Sequence, residues 1–151
     1  MAELTVTHRY QASAERVFDA FLDPAIARRF LFATPTGEMI VCEIDPRVGG
    51  RFDLTERRPD MGPNGTDVKH VGEYLEIDRP RRLVFTFGVP QFDPGMTRVE
   101  VEIRPVGDGC EATLTQRDTP DEWVEQTTDG WTKILASLEG ALAGKQAAGW
   151  A

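Results

Sequence analysis

Glu73 is the side chain in this sequence whose type and setting most invite chemistry. In VGEYLEIDRPRRLVFTF, residues 71–87, two strand-like runs flank a Pro-containing turn. Strand side chains alternate with a period of two, so Val71, Leu75 and Ile77 share one face, and Glu73 falls on it. A carboxylate among buried aliphatics is paired, hydrated or protonated, because desolvating its charge is costly, and such groups concentrate at functional sites. Two bland readings stand beside this one. Arg51 or Arg98 would neutralise Glu73, and a bulge at Gly72 would turn it outward.

Other chemistry-bearing residues stand alone. His8 and His70 have no Cys, His or paired carboxylate at ligand spacing, which argues against a metal site. His70 has the opposite parity to Glu73 and is expected on the surface; it would serve as a base only if Gly72 broke the alternation. Ser13 reads as a helix cap and Ser137 as a helix-face residue, so no serine nucleophile is supported. No GxSxG, Walker, dinucleotide-binding or HExxH pattern occurs, and no cofactor is expected. Cys42 and Cys110, far apart and without a CxxC, read as reduced, partly buried thiols, with a disulfide as the alternative.

The elements that position these residues follow from composition and periodicity. A chain of 151 residues, 40% hydrophobic and 28% charged, suits one domain spanning residues 1–151. Its net charge of -8 argues against nucleic acid, which requires a clustered basic face. No apolar run approaches the roughly 18 residues of a membrane span, and the opening MAELTVTHRY lacks a signal-peptide pattern. A cytoplasmic protein is expected.

Residues 3–10 alternate as a strand. Ser13 caps a helix carrying Val17, Phe18, Phe21 and Leu22, and Pro24 opens a second short helix running to about Phe30. Six strand-like runs follow: Glu38–Asp45, Gly50–Arg57, Val68–Asp78, Arg81–Val89, Thr97–Pro105 and Cys110–Arg117. A long helix closes the chain from Pro120 or Glu122 to Lys145, with Trp131, Leu135, Leu138 and Leu142 on one face. Gly130 and Gly140 interrupt it and mark close contacts or a kink. Short-looped consecutive strands form an antiparallel sheet, and the long helix must bury its stripe on that sheet. An exposed sheet edge or helix suggests a homodimer.

The pieces ASAERVFDAFLDPAIARRF, DPRVGGRFDL, GEYLEIDRPRRLVFTF and DGWTKILASLEGAL, spread over essentially the whole chain, resemble the START-like or SRPBCC superfamily. Within it, the chain is most similar to homologues of the activator of the 90-kDa heat-shock-protein ATPase, of the C-terminal-domain type. The resemblance implies an α+β helix-grip fold: a curved antiparallel sheet of about seven strands around the C-terminal helix, with two short helices after strand 1. The Asn- and Trp-rich motif of the eukaryotic activators' N-terminal domain is missing, and only Val48-Gly49-Gly50 stands where plant pathogenesis-related relatives have a longer glycine-rich loop.

The resemblance also implies a cavity between sheet and helix. Strand parity assigns Phe52, Leu54, Val71, Glu73, Leu75, Phe85, Phe87 and Val101 to its floor, and Trp123, Thr127, Trp131 and Leu135 to its roof. A protein that encloses a small apolar or aromatic ligand, for sensing, carriage or buffering, is the leading expectation. With Glu73 on the floor, that ligand would be neutral or cationic. An enzyme of the cyclase, aromatase or hydratase kind, with Glu73 as acid or base, is the alternative. A partner-binding regulator linked to a chaperone is the third reading.

Overall fold

The computed structural model describes residues 2–143. Seven strands, β1 (Ala2–Tyr10), β2 (Glu38–Ile44), β3 (Arg51–Arg58), β4 (Thr66–Asp78), β5 (Arg82–Phe87), β6 (Thr97–Val106) and β7 (Gly109–Thr119), form one antiparallel sheet ordered β1-β7-β6-β5-β4-β3-β2. Between β1 and β2 run α1 (Ala14–Ala20) and α2 (Pro24–Phe30). A 3-10 turn, Asp121–Trp123, leads into the 19-residue α3 (Val124–Leu142). This is the helix-grip architecture. The expected helix end at Lys145 lies outside the described residues. No helix among the described residues is long and apolar enough to cross a membrane.

Local sequence explains the helices. The Ser13 side chain accepts from the Arg16 N–H at 3.2 Å and caps α1. Asp23 accepts from the Ala25 N–H at 3.0 Å and caps α2, with Pro24 in the first turn where no amide is needed. The buried stripe of α3 is Trp131, Ile134, Leu135, Leu138 and Ala141. It meets Phe18, Phe21 and Phe30 from the short helices and Val101, Ala112 and Leu114 from the sheet in one core. Tyr10 ties β1 to the helix by donating its hydroxyl to the Leu135 carbonyl at 2.7 Å. Cys42 and Cys110 are free thiols, both pushed up in pKa chiefly by burial.

Strand β4 departs from the alternation read in the sequence. Val68, His70, Gly72 and Tyr74 are buried, and Ile77 packs against the core, whereas Leu75 is 38% exposed. Tyr74 pairs with Phe85 and Glu76 with Val84, so Leu75 is an extra residue without a partner. That bulge resets the side-chain parity between Tyr74 and Ile77. Counting back from Ile77 by twos therefore assigns Val71, Glu73 and Leu75 to the wrong face. Glu73 stands in register with Arg51 on the outer face, whose neighbouring Lys69 reaches Asp53 at 2.7 Å. His70, expected outside, points inward. Gly72 is not the bulge; it is the close-contact position, where an added Cβ would run into the Thr86 carbonyl and the Phe52 ring.

Candidate functional site

A cavity of about 490 Å³ opens at one end of the grip, lined by residues of both α3 and the sheet. Its wall is built by the end of β5 with the following loop (Phe87, Gly88, Val89, Phe92, Asp93, Gly95, Met96), the start of β6 (Thr97) and the end of β7 (Gln116, Asp118, Thr119). The β3–β4 hairpin adds Arg58, Val68 and His70, the stretch after α2 adds Phe32, and the helical roof adds Trp123, Thr127, Gly130, Trp131 and Ile134.

Aromatic rings form the inner wall. Phe32 lies against His70 and Phe87 in near-parallel planes, at centroid distances of 4.5 and 4.8 Å, and Trp131 meets Phe32 edge-on at 5.5 Å. The His70 Nδ1 is 2.9 Å from the Leu54 carbonyl oxygen. A carbonyl only accepts, so Nδ1 carries the proton and Nε2 is left as an acceptor. Burial lowers the His70 pKa to about 4, so the imidazole is neutral at pH 7. A polar relay runs along the same wall. The Trp131 Nε1–H donates to Gln116 at 2.6 Å, Gln116 donates to Thr97 at 3.0 Å, and Thr97 donates to the Phe87 carbonyl at 2.9 Å. Thr119, buried beside them, has a hydroxyl with no protein partner among the described residues.

Two backbone features single out this end of the molecule. Among the described residues, the non-glycine positions with positive φ are Phe32 (57°) and Asp118 (64°), and both line the cavity. For an aromatic residue that conformation is strained, and such strain clusters at binding sites. Gln116 is inward by plain alternation with Ala112 and Leu114; the turn at Asp118 resets the parity of β7 beyond it and brings Thr119 to the inner side as well. The other feature is Gly130, where an added Cβ would meet nothing within 4 Å. A glycine inside a helix costs about 1 kcal/mol relative to alanine, and no close contact explains this one. It corrects the expectation that Gly130 marks tight packing or a kink, since α3 runs unbroken through it.

Residues 11–143 match the family model described as Activator of Hsp90 ATPase homolog 1-like protein. The chain belongs to the AHSA1-like family. No curated protein matches the sequence. Among solved structures, the chain is similar to protein CV1439 of Chromobacterium violaceum, with 24% identity over 93% of this chain and 96% of that one and a TM-score of 0.79. An AHSA1-like protein of Aeromonas hydrophila shares 22% identity over 95% and 93% of the two chains, with a TM-score of 0.76. Protein NE0264 of Nitrosomonas europaea shares 19% identity over 94% of each, with a TM-score of 0.77. At these identities the likeness establishes the shared fold.

Within this AHSA1-like fold, four of the residues expected at the site from sequence line the cavity: Phe87, Trp123, Thr127 and Trp131. Phe52, Leu54, Phe85, Val101 and Leu135 face inward but are packed in the closed part of the core. Val71, Glu73 and Leu75 lie on the other side of the sheet, so Glu73 supplies no acid or base to this cavity. Sequence reasoning missed His70, Gln116, Thr119, Phe32 and the loop residues Phe92 and Met96. The bulge at Leu75 and the positive φ at Asp118 leave no sequence mark strong enough to reveal His70 and Thr119, whereas Gln116 shares the parity of Ala112 and Leu114. Gly130 did carry a signal, as a poor helix former in a strong helix. Among the described residues, no group of three His, Cys, Asp or Glu side chains is placed to hold a metal ion.

Proposed function

We propose that this AHSA1-like domain encloses a small, mainly apolar or aromatic molecule in the cavity beneath α3, for sensing, carriage or buffering. The supporting observation is that Gly130 lines the cavity and an added Cβ there would meet nothing within 4 Å, so the helix forgoes a side chain that nothing sterically forbids. Its volume of about 490 Å³ falls in the usual range for small-molecule sites, and its wall combines aromatic rings with a few fixed polar groups. Phe92, Met96 and Trp123, exposed by 53%, 44% and 38%, gather at its lining, as expected of apolar side chains awaiting a ligand.

Gly130 supplies a test that separates binding from folding. Gly130→Ala should stabilise the protein by about 0.5–1 kcal/mol, read as a shift in the urea midpoint, because α3 gains a better helix former. Gly130→Leu should keep the fold while its side chain takes up cavity space. Binding of the neutral fluorophore N-phenylnaphthylamine should then be strong for the parent and for Gly130→Ala and largely lost for Gly130→Leu. Equal dye binding by parent and Gly130→Leu would overturn the proposal.

A further inference from the structure

Glu73 cannot set the charge preference of the cavity, but another set of carboxylates lines it. Asp93 comes from the β5–β6 loop, Asp118 from the end of β7 and Asp129 from α3. Arg58 is the single cationic side chain among the lining residues, and its charge is already matched. Its Nε donates to Glu56 at 2.6 Å, and Glu56, 1% exposed, is held in place by the Thr34 N–H at 2.6 Å and the Thr34 hydroxyl at 3.2 Å. A buried carboxylate fixed on both sides does not release its arginine to a ligand. Asp129 shares its charge with Lys133, 3.1 Å away on the next helical turn. Asp93 accepts the Gly95 N–H at 2.8 Å, which shapes the loop without neutralising the carboxylate.

The balance at the lining is therefore negative, and the whole chain carries -8, so the long-range field has the same sign. The uncharged groups agree. His70 offers an acceptor nitrogen, and the exposed faces of Trp123 and Phe92 suit a cation. Building on the binding function proposed above, we propose that the cavity prefers organic cations, with an aromatic or apolar body and an ammonium or amidinium head, over neutral and anionic molecules of the same shape. The body lies against Phe87, Phe32 and Trp131, and the head sits at the mouth near Asp93 and Asp118.

A matched series tests this: naphthylmethylammonium, naphthylmethanol and naphthoate, each used to displace N-phenylnaphthylamine from the full chain. The ammonium compound should bind at least about tenfold more tightly than naphthoate, with the alcohol between them. Raising the ionic strength should shrink the spread. The Asp93→Asn, Asp118→Asn double variant should also shrink it several-fold and leave the alcohol's affinity nearly unchanged. Asparagine tolerates the left-handed backbone at position 118, so the fold is kept, which circular dichroism verifies. If the dye and alcohol bind but the three compounds do so equally, or naphthoate binds best, the charge preference is wrong and the binding function stands. If neither the dye nor any of the three compounds binds the parent, both are wrong.

Discussion

Trp131→Ala is expected to destabilise the domain by about 3–5 kcal/mol, enough to leave little folded protein at moderate temperature. Trp131 is 2% exposed and contributes to the first buried turn of α3, where helix, sheet and the segment after α2 meet. Its ring is edge-on to Phe32 at 5.5 Å and to Phe87 at 6.2 Å, so removing it strips an edge contact from each of two aromatic side chains that are stacked on each other. It also leaves the Gln116 carbonyl oxygen without the indole donor at 2.6 Å. Trp131→Phe separates these effects. It restores most of the apolar contact and should cost about 1–3 kcal/mol, dominated by the unpaired Gln116 acceptor. Urea midpoints for the two variants measure both effects. An alanine variant as stable as the parent would show that Trp131 serves the cavity alone and does not anchor the core.

Acidification should weaken the fold through His70 before the carboxylates take part. The imidazole has a pKa of about 4 in the folded state against 6.5 for an ordinary histidine, mainly because burial penalises the cation. Between pH 6.5 and 4 the unfolded chain therefore binds a proton that the folded chain does not. Unfolding is favoured progressively as the pH falls through that window, and the effect levels off below it. The total is about 3 kcal/mol, from roughly 1.4 kcal/mol per pKa unit. The carboxylates held low by arginines act later. Glu100, with Arg117 and Arg98 as hydrogen-bond partners, and Asp19, with Arg79, contribute stability that is fully present above the normal carboxylate pKa and lost below it. Urea midpoints at several pH values between 7 and 4 should fall steadily for the parent. In His70→Phe the fall within this window should nearly vanish, although the variant starts lower at pH 7 for want of the bond to Leu54. A parent with a flat profile from pH 6.5 to 4.5 would show that His70 is not buried as a neutral ring.

Much of this architecture is written in local signals. Ser13 caps the first short helix and Pro24 opens the second, turn residues punctuate six strands, and the apolar stripe from Trp131 to Leu142 specifies a long helix with one buried face. Each of these depends on neighbours within a few residues, which is why a single sequence is enough to read them. The membership of the core was legible for the same reason, since Phe52, Leu54, Phe85, Val101 and Leu135 follow an unbroken period and are all buried.

Tertiary structure decided which of those buried residues surround open space. The closed part of the grip is filled by Phe18, Phe21, Phe30 and Leu135, while at the other end residues of α3, Thr97 and Gln116 line the cavity. No local pattern encodes that open space, because its lining comes from β3 to β7, the segment at Phe32 and α3, which are far apart in the chain. Irregularities in the strands decided the rest. One extra residue at Leu75 sends Glu73 outward and His70 inward, and the left-handed turn at Asp118 brings Thr119 back to the inner side. Side-chain parity is a running count along the strand, so a single bulge inverts every assignment on its far side, and its position is set by pairing with a neighbouring strand and not by the residues that form it.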